Sequence, residues 1–282
     1  MGIKGALGVI CKAFGYSRQA YYKRLNREDQ RLRYEEMIIA KVLFIRQKQP
    51  FVGVRKLRLM LAKEPEFDGQ PVARDALFDL LRAHKLLGGR RKRHVHTTDS
   101  KHQLKVFPNL IENLDITGHN QVWVSDMTYI STLKGFCYLS LVTDYRSRKI
   151  LGYNVSASME AIHTLQAMKM AYSNGNPSEG LIHHSDKGSQ YCSKIYLDFH
   201  QKHGIIGSMT GKNHCYDNAV AERVNGILKQ EFGLDGVIRD IGIVKKMVRE
   251  AVTTYNSLRL HQSLNYQTPD DVYAGKDCTH VA

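Results

Sequence analysis

Three acidic side chains occupy positions where the surrounding pattern would otherwise place apolar or turn-forming residues. Asp126 lies inside an alternating run, Asp186 follows a short β-type run, and Glu222 falls in the first turns of a predicted helix. Carboxylates from three separate elements can converge on one point and hold two Mg²⁺ ions, because Mg²⁺ prefers oxygen ligands and leaves positions open for substrate phosphates. Two such ions, roughly 3.5–4 Å apart, activate an attacking oxygen and stabilise a leaving one at phosphorus. The three acids therefore predict two-metal phosphoryl transfer.

Each acid taken alone also fits an ordinary structural role. A single carboxylate at the end of a strand is commonly a turn former, and Asp186 before Lys-Gly-Ser fits that role well. Two spare acids are interpreted structurally, Asp144 as a turn acid and Asp217, with Asn218, as a cap of the helix that carries Glu222. The chemical interpretation depends on the three acids acting together.

Helical spacing places further polar side chains beside Glu222. Asn225, Gly226 and Lys229 follow it at three, four and seven positions, so they share one helix face. We expect Lys229 to hold a DNA phosphate next to the acids and Gly226 to let a DNA strand approach closely. The other DNA contacts predicted from this region are Lys187, Arg223 and Asn225.

The basic charge of the chain is concentrated in its first third. The 282 residues include 41 Lys and Arg against 27 Asp and Glu, which gives a net charge of +14. Residues 1–105 hold 24 of the basic and 10 of the acidic side chains, whereas residues 106–282 hold 17 of each. Lys and Arg gain free energy by displacing counterions from phosphates, so a polyanionic partner is predicted for the N-terminal third.

Composition excludes several classes of protein. A chain that is 43% hydrophobic and 24% charged is expected to fold rather than to be disordered. It has no apolar run as long as a membrane span and no apolar core of a secretory signal, so no membrane association is predicted. Its five scattered cysteines include no Cys-x-x-Cys pair, which disfavours a disulfide framework and favours a reducing, cytoplasmic compartment.

Histidines and cysteines between residues 183 and 215 raise the alternative of a zinc site, since both residue types bind zinc. Their spacings match no compact zinc finger, so zinc is disfavoured. His184 is predicted to orient the loop that carries Asp186, and Trp123 is predicted to be a core aromatic residue.

Two helical pairs are predicted in the basic third. In the first pair, Ser17 caps a second helix that opens with Arg18, Gln19 and Tyr21. This outline is typical of a helix-turn-helix, whose second helix enters the major groove, although a small surface helical pair fits equally well. A connecting helix over 31–48 leads to the second pair. The DNA contacts predicted for the second pair are Arg55, Lys56 and Arg74.

A basic segment follows the helical pairs. It contains few apolar residues and cannot bury a core, so it is predicted to be a linker. Basic runs are commonly solvated surface, but directly after two helical pairs this one is predicted to follow a DNA backbone. Its DNA-binding residues are Arg90, Arg91, Lys92 and Arg93.

From about residue 120 the pattern changes from helical to strand-like. Three β-type runs close together in sequence predict an antiparallel meander, and helices alternate with short strands after it. The predicted fold is therefore an α/β catalytic domain, a mixed sheet flanked by helices, preceded by all-α helix-turn-helix modules. The predicted domains are 1–30 (N-terminal helix-turn-helix), 31–89 (connecting helix and second helix-turn-helix), 90–115 (basic linker) and 116–275 (catalytic domain).

Several sequence blocks, in order, resemble the integrase-type (DDE) transposases of the IS-three (IS3) family of bacterial insertion sequences, specifically the product of their second reading frame. Thirty-five residues separate Asp186 and Glu222, a spacing that this family shares with retroviral integrases. The matching blocks are 123–129, 184–191, 216–222, 228–231, 255–256 and 259–269.

The resemblance implies a ribonuclease H-like domain with Asp126, Asp186 and Glu222 as catalytic residues and ligands of two Mg²⁺ ions, for which Mn²⁺ would substitute. It implies a DNA transposase in the bacterial cytoplasm, associated with the nucleoid. Water would cut one strand at an element end, and the freed 3′-hydroxyl would attack another phosphodiester. The partners would be double-stranded DNA of the terminal inverted repeats and of the target, further copies of the chain, and an upstream-frame product.

Two other functions compete with transposition. One is a metal-dependent nuclease that cuts without joining, and the other is a non-enzymatic DNA-binding regulator. Near the C-terminus, Tyr255, Arg259 and His261 are predicted either to contact DNA near the cut or to form a local network that holds the last helix. The two interpretations of these residues are equally supported by the sequence.

Overall fold

The computed structural model describes residues 3–69, 72–88, 106–211 and 218–276. The chain divides into two compact units, one made of residues 1–47 and 52–89 and the other of residues 48–51 and 90–282. None of the helices in the described ranges is both long enough and apolar enough to span a membrane. The predicted DNA contacts Arg90, Arg91, Lys92 and Arg93 lie outside the described residues.

The first unit is helical. Ser17 caps the second helix, since its Oγ accepts a hydrogen bond from the backbone N–H of Ala20 at 3.0 Å. The elements are α1 (Ile3–Ala13), α2 (Arg18–Lys48), α3 (Val54–Ala62), a 3₁₀ turn (Pro65–Phe67) and α4 (Arg74–Ala83).

Helix α2 corrects the prediction of a break before residue 31. It runs without interruption through the segment that the sequence suggested would be two helices. The physical reason is that residues 18–48 contain no Gly or Pro, and the pair Arg31–Glu35 adds favourable charge at helical spacing. The side chains of residues 18–34 are exposed, and α2 contributes to the core only from Ile38 onward.

The core of the first unit lies among three helices. Apolar residues at helical spacing on the second half of α2 pack against one face each of α3 and α4, which is the arrangement expected for amphipathic helices. The buried residues from these helices include Ile38, Val42, Ile45, Leu57, Leu61, Leu77 and Leu81.

The second unit is built on a five-stranded mixed sheet of order β3-β2-β1-β4-β5. The meander prediction is confirmed, because β1 pairs antiparallel with β2 and β2 pairs antiparallel with β3. β4 pairs parallel with β1 and with β5. The strands are β1 (Val122–Thr132), β2 (Gly135–Asp144), β3 (Ile150–Ser156), β4 (Ile182–Ser185) and β5 (Ile206–Met209).

Helices cover both faces of this sheet, as the α/β prediction requires. One hydrophobic cluster joins Leu139 of the sheet to Leu228 and Val248, and the other joins Trp123 to Met168 and Tyr196. Trp123 is fully buried, which confirms its core role. The helices are α5 (Ala161–Gly175), α6 (Lys194–Lys202), α7 (Ala219–Glu231), α8 (Ile241–Ser257) and α9 (Pro269–Tyr273).

Candidate active site

The parallel pairing of β1 with β4 brings two of the predicted acids to the same edge of the sheet. Val124 is the register partner of His184, so Asp126 lies level with the residue that follows the end of β4, which is Asp186. Ligands of α/β sheets bind at the carboxyl ends of parallel strands, and this edge is such a position. β1 continues beyond it, paired with β2 and, at Thr132, bridged to Ile238.

Two asparagines attach α7, the helix that carries Glu222, to β1. The Nδ2 of Asn218 donates to the backbone oxygen of Ser125 at 3.0 Å, and the Nδ2 of Asn225 donates to Oδ2 of Asp126 at 2.8 Å. Both asparagines are buried, whereas Glu222 is exposed in the first turn of the helix. The third acid is therefore presented on a helix that is fixed to the strand of the first.

These contacts correct two interpretations from the sequence. Asn218 occupies the N-cap position of α7, but its side chain makes no capping hydrogen bond, and its Nδ2 donates to the backbone oxygen of Ser125. Asn225, predicted to contact DNA, is buried and donates to Asp126 instead. The other predicted cap, Asp217, lies outside the described residues. The seven-residue interval between the two asparagines places them on one helix face and is the sequence signal that could have revealed their shared role.

The loop after β4 holds Asp186 by its own backbone. Oδ1 of Asp186 accepts a hydrogen bond from the N–H of Gly188 at 3.0 Å, and the Nζ of Lys187 donates to the carbonyl of Gly211 at 3.2 Å. His184, predicted to orient this loop, makes a hydrogen bond of 2.9 Å between Nδ1 and Oγ of Ser208. That bond connects β4 to β5, so any effect of His184 on the loop passes through the strand.

The electrostatics of the site are those of clustered negative charge. The pKa of Asp126 is raised to about 7, first by burial and then by the negative charges of Asp186 and Glu222, while the hydrogen bond from Asn225 opposes the shift. The pKa of Glu222 is also raised, first because its carboxylate is partly removed from water and then by the charge of Asp186. The three predicted acids therefore influence one another, as a shared site requires.

The donor set fits hard divalent cations, since it consists of carboxylates whose repulsion a cation would relieve. In the described parts of the chain, however, no three His, Cys, Asp or Glu side chains lie close enough together to hold a metal ion as they stand. His214 and Cys215, which entered the zinc alternative, lie outside the described residues.

Lys229 lies beside the acids, as its helical spacing suggested. Its Nζ is 4.5 Å from the centroid of the Tyr129 ring. Burial lowers the pKa of Lys229, while the charges of Asp126 and Asp235 act in the opposite direction. Arg223 is exposed on the same helix. A Cβ added to Gly226 would meet nothing within 4 Å, so the helix surface is open there.

The C-terminal residues proposed for DNA contact are buried in the protein instead. Arg259 makes two hydrogen bonds to the carboxylate of Glu231, with Nε to Oε2 at 2.8 Å and Nη2 to Oε1 at 2.7 Å. The ring of Tyr255 meets that of His261 edge to face at 4.9 Å. Tyr255, Arg259 and His261 are 0%, 2% and 6% exposed. Their placement corrects the DNA-contact prediction and favours the alternative, a local network that holds the end of α8.

The remaining predicted residues are distributed as follows. Asp144 is confirmed as a turn acid, because its carboxylate accepts hydrogen bonds from Asn120 and Ser147. Arg18, Gln19 and Tyr21 are exposed at the start of α2. At the starts of α3 and α4, Arg55 and Arg74 are exposed and Lys56 is half-buried; Arg74 also pairs with Asp75.

Comparison with known proteins identifies the family. The family described as "Integrase core domain" matches residues 116–215, and a second family of the same description matches residues 203–269. An insertion element IS600 protein of 31 kDa from Shigella sonnei is 35% identical over 269 residues, which are 92% of this chain and 96% of that one. The transposase InsF of insertion sequence IS3A from Escherichia coli is 31% identical over 232 residues, covering 80% of this chain and 79% of that one. The chain belongs to the IS3 family of transposases.

Solved structures of lower identity resemble this transposase as well. The catalytic core domain of HTLV-2 integrase in complex with magnesium is 21% identical, with a TM-score of 0.47, and the match covers 56% of this chain and 99% of that one. A simian T-cell lymphotropic virus intasome in complex with the PP2A regulatory subunit B56 gamma is 14% identical, with a TM-score of 0.48, over 82% and 73% of the two chains.

Membership of the family establishes the general function. The protein acts on DNA in transposition and integration, and its activity is that of a polynucleotidyl transferase. Residues 116–269 of its second unit match the integrase core family and include the mixed sheet described above.

Proposed function

We propose that the transposase cuts and joins DNA at the ends of its element through two divalent cations held by Asp126, Asp186 and Glu222. The observation that carries this proposal is the mutual electrostatic influence of the three acids at the carboxyl end of β4, with Asp126 oriented by Asn225. When bound, the cations activate the attacking oxygen and neutralise the leaving one. Mg²⁺ is the proposed ion and Mn²⁺ its substitute, because both accept carboxylate ligands.

Side-chain and backbone groups of the protein orient the proposed metal ligands. Asn225 fixes the orientation of the Asp126 carboxylate, and the backbone N–H of Gly188 fixes one oxygen of Asp186. Glu222 is exposed and closes the site from the side of α7. Hydrogen bonds that a ligand side chain accepts from the protein set its direction before it meets its ion.

The reaction proceeds by two attacks at phosphorus with no covalent protein–DNA intermediate. Water first attacks one strand at the element end, which frees a 3′-hydroxyl. That hydroxyl then attacks a second phosphodiester, so one P–O bond forms as another breaks. The side chain of Lys229 lies where it can hold a phosphate of the strand during either step.

The basic N-terminal third serves as the DNA-holding part of the protein. Residues 1–30 and 31–89, which α2 joins without a break, act as two helix-turn-helix modules, residues 90–115 as a basic linker, and residues 116–275 as the catalytic domain. In the bacterial cytoplasm the transposase works as a homo-oligomer when it brings two element ends together, with an upstream-frame product as a further partner. The residues proposed to contact DNA are Arg18, Gln19, Tyr21, Arg55, Lys56, Arg74, Arg90, Arg91, Lys92, Arg93, Lys187, Arg223 and Lys229.

Product analysis tests joining against cutting alone. A labelled duplex carrying the inverted repeat that flanks the coding DNA is incubated with the full chain and Mg²⁺, with EDTA as the control. Branched products longer than the substrate, formed only with Mg²⁺, are expected. Shortened strands without branched products would identify a nuclease, and binding without any product would identify a regulator.

A further inference from the structure

Ser125, the residue before Asp126, joins the three elements that carry the acids. Its Oγ makes a hydrogen bond of 2.7 Å with Nε2 of His183 on β4, the strand that precedes the second acid. Its backbone oxygen accepts the 3.0 Å hydrogen bond from Asn218 at the start of α7, the helix of the third acid. We refer to Ser125, His183 and Asn218 as the junction.

The junction connects the two faces of the sheet. Successive side chains of a strand project to opposite faces, so the side chain of Ser125 points away from that of Asp126. Asp126 faces α7, where Asn225 bonds to it, whereas Ser125 faces α6. The two residues share a peptide bond, which holds their Cα atoms about 3.8 Å apart. A displacement of Ser125 therefore moves Asp126, although their side chains do not meet.

The junction is excluded from water. Ser125, His183 and Asn218 are 1%, 2% and 4% exposed. The rings of Tyr191 and Tyr196 lie against that of His183, with centroids 5.9 and 5.5 Å away. Burial lowers the pKa of His183 well below its usual value, so the ring is uncharged. A buried polar group that loses its partner costs free energy, and the hydrogen bonds of the junction therefore resist changes in the separation of the elements.

The position of the junction on the sheet gives this resistance its importance. The last register pair of β1 with β4 is Val124 with His184, and both strand-borne acids lie beyond it. The hydroxyl of Ser125, one residue past that pair, bonds back to His183 and continues the attachment of the strands toward the acids. Two cations roughly 3.5–4 Å apart require ligands at matching separations, so the spacing of these elements affects how tightly the ions are held.

We propose that Ser125 is a positioning residue, which sets the separation of Asp126, Asp186 and Glu222 through the junction. Because Ser125 is buried, it contacts neither DNA nor cations and acts only through the elements that it joins. This inference rests on the proposed function, and it adds a determinant of metal affinity that lies outside the acids themselves.

Ser125→Ala tests the proposal by removing only the hydroxyl. The Nε2 of His183 keeps a partner within reach, because the hydroxyl of Tyr196 is 3.3 Å away, so the variant is expected to fold. Binding of Mn²⁺, followed by electron paramagnetic resonance with a duplex of the element end present, is expected to weaken about tenfold. Ser125→Thr retains a hydroxyl on a residue type that strands favour, and it keeps the affinity of the parent.

Ser140→Ala is the matched control for the loss of a buried hydroxyl. Ser140 is 2% exposed on the neighbouring strand β2, and among the described residues its Oγ has no hydrogen-bond partner. Its substitution leaves the Mn²⁺ affinity unchanged, because no link between the acid-bearing elements is lost.

Asn218→Ala tests the other arm of the junction. The side chain of Asn218 makes no capping hydrogen bond, so the substitution removes the bond to β1 without uncapping α7. The Mn²⁺ affinity is expected to fall about tenfold here as well. Urea denaturation identifies conditions in which every variant is folded, and affinities are compared under those conditions.

Several results would overturn the proposal. Equal Mn²⁺ affinity in Ser125→Ala and the wild-type chain would do so, even if the variant were less stable, because the junction would then support only the fold. An equal loss in Ser140→Ala, or a loss in Ser125→Thr as large as that in Ser125→Ala, would also contradict it. In each case the proposed function stands if Glu222→Gln loses ions that the wild-type chain binds. A wild-type chain that binds no ions would overturn both.

Discussion

Helix α7 contributes to two groups of polar side chains. The two groups contain similar residue types but differ in the charges that the fold brings together. Near its start, Asn225 and Glu222 face Asp126, where carboxylates of like charge lie together. At its end, Glu231 meets Arg259 in a buried pair of opposite charges. One member of each group, Asn225 and Arg259, was predicted from the sequence to contact DNA.

The two groups differ in the signs of the charges that lie together. The guanidinium of Arg259 and the carboxylate of Glu231 satisfy each other through two hydrogen bonds, and their side chains are 3% and 19% exposed. At Asp126, by contrast, burial and the like charges of Asp186 and Glu222 raise the pKa of the carboxyl group. Opposite charges that pair inside the protein hold parts of the fold together, whereas like charges gathered at one place can bind a ligand of opposite charge.

The largest effect expected from this comparison is on catalysis. Asp186→Asn and Glu222→Gln each abolish strand cleavage and transfer, because each removes a charged ligand from the proposed cation site. The melting temperature stays the same or rises, since like-charge repulsion is reduced. Binding of element ends, measured by gel shift, is retained. Normal transfer by either variant would refute the assignment of the three acids.

The buried pair should respond in the opposite way. Arg259→Met leaves the Glu231 carboxylate buried without its partner and lowers the free energy of unfolding by about 3–5 kcal/mol. Urea denaturation measures the loss. The double variant Arg259→Met with Glu231→Leu recovers most of it, because no uncompensated charge remains. A single variant as stable as the parent would show that the pair does not hold the fold.

His200, on the other side of the sheet, is expected to make the stability of the protein depend on pH. Burial lowers its pKa to about 4, and among the described residues neither ring nitrogen has a hydrogen-bond partner. The unfolded chain binds a proton near pH 6.5, so stability is complete above that pH and declines as the pH falls toward 4, by on the order of 3 kcal/mol. Denaturation across this range measures the slope. His200→Leu should flatten it, and an equal slope in the variant would contradict the assignment.

The smallest expected change distinguishes the orientation of the Asp126 carboxylate from its charge. Asn225→Ala keeps all three acids but removes the hydrogen bond to Asp126, so the Mg²⁺ concentration needed for half-maximal cleavage rises about 10- to 100-fold. Titration of activity with Mg²⁺ measures the shift. Excess Mg²⁺ restores much of the activity if Asn225 positions the carboxylate. A loss that Mg²⁺ cannot reverse would show that Asn225 contacts the DNA after all.

Much of the fold follows from local patterns. Alternating residues in β1 and the close spacing of the next two strands predict the meander, and the predicted alternation of helices with short strands after it is observed as well. The break expected before residue 31 was wrong, because no turn residue interrupts helix formers there.

The site could be predicted only in part. Spacing and residue type indicate the three acids and Lys229, since helix periodicity and strand ends are local properties. The partners of buried polar groups are not local: Asp126 and Asn225 are 99 residues apart in sequence, and Glu231 and Arg259 are 28 apart. The side chain of Arg259 therefore had two interpretations until the fold placed it beside a carboxylate.

Metal binding by the three acids is the central claim, and electron paramagnetic resonance of Mn²⁺ tests it most directly. Mn²⁺ is titrated into the wild-type chain and into Glu222→Gln, each with a duplex of the element end present. We expect saturable binding of two ions by the wild-type protein and loss of at least one of them in the variant. The same number of ions bound with the same affinity by both proteins would contradict it.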